Sequence, residues 1–126
     1  MISPISIDHL VFRISNPDQT ERFYLSLLGP AAYRDEHLVM YVVGTTRLFF
    51  TKVAAEKTAP YDKDEIGLNH IAFAVRNLSE LQAIQDQMNA AGISHSGQRT
   101  DPHGGKEYVW LNDPDGFRVE FYLRPE

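Results

Sequence analysis

The chain has 126 residues and a mass of 14.3 kDa, the size of one ordinary domain, and its 43% hydrophobic and 23% charged content excludes a disordered, collagen-like or low-complexity polypeptide. Lys and Arg number 12 against 17 Asp and Glu, a net charge of −5, with no basic cluster of the kind that a nucleic-acid partner requires. Cysteine is absent, which excludes disulfides, thiolate nucleophiles, iron–sulfur clusters and cysteine-ligated zinc, so that any metal must be held by His, Asp or Glu.

The opening MISPISIDHLVFRI lacks a basic n-region, and no apolar run approaches the roughly 18–20 residues of a membrane span. A soluble cytoplasmic protein without a membrane partner is expected. The chain also repeats itself: residues 7–20, IDHLVFRISNPDQT, lie over residues 68–81, LNHIAFAVRNLSEL, with His9/His70, Phe12/Phe73 and Asn16/Asn77 identical.

In chain order, a strand is expected over about Ile5–Ile14, ending at Asn16-Pro17, where proline suits a helix start. Phe23, Leu27 and Leu28 at helical spacing predict a helix over about 17–28, stopped by Gly29-Pro30. A polar stretch around Tyr33–Glu36 leads to LVMYVV (38–43), a turn at Gly44-Thr45-Thr46 and RLFFTK (47–52), read as a hairpin. Residues 54–65 are the most polar connection and are read as the link between two copies. The second copy begins with a strand over about Gly67–Val75 and a helix capped by Ser79, running to about Ala91 and ended by Gly92. A short strand is expected at Ile93–Ser96. KEYVWLN (106–112), the turn Asp113-Pro114-Asp115-Gly116 and FRVEFYL (117–123) form the clearest hairpin. The result is an α+β chain of two βαβββ modules, about 1–53 and 66–126, within a single domain.

Strand side chains alternate between faces. Leu10, Phe12 and Ile14 form one apolar row, Ile71, Phe73 and Val75 a second, and Val119, Phe121 and Leu123 a third, each suited to lie under a helix. His9, His70 and Glu120 fall on the opposite faces. A strand histidine is often only a hydrogen-bonded structural residue, and an exposed glutamate is usually solvated. Two imidazoles and a carboxylate nevertheless make a donor set for one divalent ion (Fe, Mn, Zn, Ni or Co), leaving positions open for water or substrate. Tyr108 and Trp110 share a face of their strand, and Phe49 can join them against a substrate. Gly104-Gly105-Lys106 is a flexible cationic loop suited to an anionic substrate, and Arg13 and Arg118 are placed to pair with a substrate carboxylate or with Glu120. His37 and His95 are read as surface residues. No Ser/His/Asp order suggests a triad.

IDHLVFRISN, ERFYLSLLG, GLNHIAFAV and NDPDGFRVEFY, in this order, resemble the vicinal-oxygen-chelate superfamily of glyoxalase I, fosfomycin- and bleomycin-resistance proteins, methylmalonyl-CoA epimerase and extradiol dioxygenases. The resemblance implies mixed sheets curving into a half-open cup with helices on the outer face, a divalent metal on His9, His70 and Glu120, a small-molecule substrate and a homodimer, whose swapped or unswapped pairing stays open. Glyoxalase I-like members carry a further ligand, usually Glu, on the fourth strand. The position symmetric with Glu120 falls here on Phe49, or on Leu48 or Phe50 if the alignment slips by one, and none of these binds metal. A dioxygenase-like or transferase-like ligand set is therefore favoured over glyoxalase I. Dioxygenases use a further His and Tyr in O₂ chemistry, for which His103, Tyr108 and Tyr122 are the candidates. The alternative is a metal-free protein of the bleomycin-resistance type that sequesters a small molecule.

Overall fold

A computed structural model describes residues 2–54 and 59–125. The chain divides into two compact units, Met1–Thr58 and Ala59–Glu126. The first unit runs β1 (His9–Ile14), α1 (Pro17–Leu28), β2 (Tyr33–Arg34), β3 (Leu38–Val43) and β4 (Thr46–Lys52). The second repeats it as β5 (His70–Val75), α2 (Leu78–Ala90), β6 (Arg99–Thr100), β7 (Glu107–Asn112) and β8 (Arg118–Leu123). Each makes an open, mixed four-stranded sheet, in the orders β1-β4-β3-β2 and β5-β8-β7-β6. The first and last strands of each unit pair in parallel and the remaining neighbours antiparallel. The expected α+β architecture of two βαβββ modules is what the chain adopts. Of the expected link at 54–65, residues 55–58 lie outside the described residues, and Pro60–Glu65 belong to the second unit.

Each helix covers one face of its own sheet, α1 against β3 and β4 and α2 against β5, β7 and β8. The three apolar rows read by parity become cores: Phe12, Ile14, Val39, Tyr41, Leu48 and Phe50 with Tyr24 and Leu27 in one unit, and Phe73, Val75, Val109, Leu111, Val119, Phe121 and Leu123 with Leu81 and Met88 in the other. Aromatic packing is dense in the first, where Phe50 stacks on Phe12 at 4.9 Å between centroids and meets Tyr24 at 4.7 Å. Burial pushes the Tyr41 phenol up to about 12. Among the described residues one core hydroxyl has no partner: Thr20 Oγ1, on α1, is fully buried without a hydrogen bond. Thr20→Val keeps the side-chain shape and the helix propensity and removes that cost. It is expected to raise stability by about 1 kcal/mol, read as a higher urea midpoint at unchanged slope.

Four local expectations are corrected. β1 and β5 begin at His9 and His70 rather than Ile5 and Gly67, because a strand lasts only as long as its ladder: the partners of His9 and His70 are Arg47 and Arg118, at the starts of β4 and β8. Ile5 is left fully exposed. The second helix is capped by Asn77, not Ser79; Asn77 Oδ1 accepts from Glu80 N, as Asn16 Oδ1 accepts from Gln19 N at the first. No strand forms at Ile93–Ser96, because the Ser96 hydroxyl takes the Trp110 N–H that a ladder carbonyl would take, and pairing resumes only at Arg99–Thr100. His95 is half-buried rather than a surface residue, with Nε2 at 2.8 Å from Asn89 Oδ1 and Nδ1 accepting from Gly97 N.

Candidate metal and substrate site

The faces turned away from the helices carry the polar chemistry. On β1 and β5, His9 and His70 begin the strands, and in each case the preceding side chain binds Nδ1. Asp8 Oδ2 lies 2.7 Å from His9 Nδ1, and Asn69 Oδ1 lies 2.7 Å from His70 Nδ1. A carboxylate only accepts, so His9 Nδ1 carries the proton. Asn69 is fixed the same way: its amide nitrogen donates to the Lys63 carbonyl at 3.0 Å, leaving its oxygen to accept from His70. With Nδ1 tied back in this way, each ring in its neutral form leaves Nε2 as the atom that can bind a cation, the arrangement by which proteins orient metal-binding histidines. The contact with His9 also holds the Asp8 carboxyl below its usual range. Asp8 and Asn69 were not singled out from the sequence, although the repeat aligns them one residue before each histidine.

Glu120, mid-strand on β8, is 6% exposed. Its two oxygens are used differently. Oε2 accepts from Arg118 Nε at 3.0 Å and lies 3.0 Å from Arg118 Nη2. Oε1 faces His70 Nε2 at 3.6 Å. Metal–ligand bonds of ~2.1 Å put two tetrahedral ligands roughly 3.4 Å apart, so this pair already has about the spacing of one coordination edge. The donor set of imidazole nitrogen and carboxylate oxygen fits a borderline divalent ion. Among the described residues, no three His, Asp or Glu side chains form a ready-made cage. His70 and Glu120 lie in the second unit and His9 in the first. The strand registers remove the one-residue ambiguity at the fourth ligand: Val11 pairs with Phe49 as Ala72 pairs with Glu120, so Phe49 is the counterpart of Glu120. Its ring meets His9 edge-on at 5.7 Å.

Beside His70 and Glu120 the second unit holds a cavity of roughly 600 Å³, ample for a small metabolite. Ala72 and Ala74 leave its floor low. Tyr108, Tyr122 and His103, the three candidates for catalysis, all line it, with Asp101 and Arg124. Tyr108 and Tyr122 are cross-strand partners with near-parallel rings 6.1 Å apart. Tyr122 Oη donates to Asp101 Oδ2 at 2.8 Å, which raises the phenol above its ordinary value. The His103 N–H and the Tyr122 hydroxyl hold Asp101 below its usual range. Tyr122 is thus a proton donor at neutral pH rather than a base. A Cβ at Gly104 would come within 2.6 Å of Tyr122 Oη and 3.1 Å of Asp101 Oδ2, so a side chain there would press on the Tyr122–Asp101 hydrogen bond.

Other sequence-predicted residues fall outside this cavity. Trp110 and Arg118 are paired with each other, the guanidinium 4.5 Å above the indole ring. Lys106 lies in the neighbouring loop, its carbonyl accepting from Asp101 N, and is not among the lining residues. Arg13 is engaged with Thr51 and the Lys52 carbonyl.

A family model described as the Glyoxalase/Bleomycin resistance protein/Dioxygenase superfamily matches residues 6–121. The chain belongs to that superfamily. It is 31% identical to the uncharacterized protein YwkD of Bacillus subtilis, over 93% of this chain and 95% of that one. It is 24% identical to the metallothiol transferase FosB of Lysinibacillus sphaericus, over 93% of this chain and 81% of that one. Among solved structures, a glyoxalase family protein from Enterococcus faecalis superposes with a TM-score of 0.75 at 27% identity, covering 94% of this chain and 97% of the other. The superfamily includes enzymes, commonly uses divalent ions and often forms dimers. No described helix of this member is long and apolar enough to cross a membrane.

Proposed function

We propose that this chain is a metal-dependent enzyme acting on a small molecule that presents neighbouring oxygens, with His9, His70 and Glu120 as the ligands of one divalent ion (Fe, Mn, Zn, Ni or Co). The observation that carries the reading is the pair of imidazoles whose Nδ1 atoms are tied back, with the His70 Nε2 already 3.6 Å from the Glu120 carboxylate. A bound divalent ion would supply Lewis acidity or, if ferrous, O₂ activation. The protein's own groups divide the remaining work. Tyr122, kept protonated by Asp101, offers a proton or hydrogen bond, and His103 at the cavity rim can exchange protons with solvent. Tyr108, with Trp110 on the same face of β7, and Phe49 give apolar contacts, while Lys106 and Arg118, with Arg124 of the cavity lining, supply cations for an anionic substrate. With Phe49 in the place of a fourth acidic ligand, we favour lyase, dioxygenase or transferase chemistry over glyoxalase I; the metallothiol transferase relative supports that direction. A dimer acting in the cytoplasm, its two units forming one functional domain, completes the reading.

Arg118 favours a second reading, because a guanidinium that already neutralises Glu120 suits a metal-free protein that sequesters its ligand. Elemental analysis of untagged protein purified without chelators separates the two. About one equivalent of a transition metal per chain is expected. Metal-free protein that also fails to bind added Zn²⁺, Mn²⁺ or Fe²⁺ would overturn the enzyme reading in favour of sequestration.

A further inference from the structure

Glu120 is almost wholly buried, and such a carboxylate needs a countercharge. In this chain that countercharge is present without any metal. Arg118, two residues earlier on the same face of β8, directs Nε and Nη2 at one oxygen, Oε2, and is itself 20% exposed. Its position is held from the other side by the Trp110 ring, which sits opposite Glu120 across the β7–β8 ladder. The register also sets Arg118 beside His70. A permanent positive charge therefore stands next to both groups that would receive a cation.

We propose that Arg118 is a resident competitor for Glu120: it neutralises the carboxylate in the metal-free protein, weakens divalent-cation binding by charge repulsion, and loosens from Glu120 and Trp110 when a cation binds. The proposal rests on the reading of Glu120 as a cation ligand. Coulomb repulsion between a guanidinium and a dication on the same carboxylate outweighs what the hydrogen bonds to Oε2 contribute to orientation, because the backbone of a central strand already places Oε1 at 3.6 Å from His70 Nε2. A site built this way stays stable empty and takes up a cation most readily when an anionic ligand arrives with it and cancels the excess charge.

Trp110 is the single tryptophan, so its emission reports directly on Arg118. Zn²⁺, which does not itself quench indole, is titrated into metal-free wild type, Arg118→Gln, Arg118→Lys and Glu120→Gln, following heat by calorimetry and Trp110 emission. Wild type is expected to change emission in step with Zn²⁺ binding. Arg118→Gln is expected to bind at least tenfold tighter, to show a shifted emission before any Zn²⁺ is added, and to melt lower when empty but recover on saturation. Arg118→Lys, which keeps the charge and loses the fork, is expected to fall between and serves if the Gln variant does not fold. Equal or weaker binding by the Arg118 variants, with binding still abolished in Glu120→Gln, overturns the competitor role alone. Zn²⁺ binding that Glu120→Gln leaves untouched, or no binding by any of the four proteins, overturns the ligand assignment and the competitor with it.

Discussion

Glu120→Gln is expected to lower divalent-cation affinity at least ~100-fold, and Asn69→Ala, which touches no ligand atom, ~10–100-fold. The two losses have different causes. Glu120→Gln preserves shape but replaces an anionic oxygen by a neutral amide, removing the charge that draws a dication into a nearly buried position and leaving Arg118 beside a weaker acceptor. It therefore also costs stability, about 1–3 kcal/mol. Asn69 acts one step back: its amide, anchored on the Lys63 carbonyl, accepts the His70 Nδ1 proton and so fixes the ring and its tautomer. Without it the ring rotates and samples the tautomer protonated at Nε2, which cannot bind a cation. Both hydrogen bonds of the Asn69 side chain are exposed, so Asn69→Ala should leave the melting temperature almost unchanged while affinity falls. Calorimetric titration beside a thermal melt separates the cases. Wild-type affinity in both variants would remove His70 and Glu120 from any metal site.

The sequence carried the positions of these groups better than it carried their partners. Period-two alternation placed His9, His70 and Glu120 on the faces away from the helices, because one face of each sheet must be apolar, and the internal repeat made the two histidines equivalent. The repeat held two more signals. The identity of Asn16 and Asn77 is the identity of the helix caps, hidden because Ser79 is an equally good capping residue two positions on. Asp8 and Asn69 are the groups that orient the imidazoles, hidden because they are similar rather than identical. Strand ends were misread where apolar residues outrun their ladder, as at Ile5 and Ile7, since nothing local tells a chain where its neighbour begins. Arg118 was legible as a partner for Glu120, but which oxygen it takes, and that it lies on Trp110, follow only from β7 and β8 being paired in register.

The largest effect on folding is expected at Gly116, in the turn between β7 and β8. Two demands meet there. Its φ is +89°, a region where a Cβ costs roughly 1–2 kcal/mol, and a Cβ built on it would lie 2.8 Å from Pro60 Cβ and 3.2 and 3.3 Å from the backbone O and N of Tyr61. These neighbours cannot step aside cheaply. Tyr61 N donates to the Asp115 carbonyl, its hydroxyl donates to the Leu68 carbonyl at 2.6 Å, and its ring packs on Phe117 at 4.9 Å. The segment thus ties the last hairpin to the run-in of β5, where Asn69 and His70 sit. Gly116→Ala must either break the Asp113–Gly116 turn, in which Asp113 Oδ1 accepts from Asp115 N and Phe117 N, or push Tyr61 off it. A loss of about 3 kcal/mol is expected, seen by scanning calorimetry as a melting temperature lower by roughly 10–15 °C. Gly44→Ala is the control, because Gly44 also has positive φ, +58°, yet nothing lies within 4 Å of a Cβ there. It should lose only the conformational part, about 1 kcal/mol. Equal losses in the two variants would show that backbone strain alone sets the cost and that the Tyr61 contact contributes nothing. A larger loss at Gly116, accompanied by weaker Zn²⁺ binding, would show that the turn and the His70 strand start are held by the same few contacts.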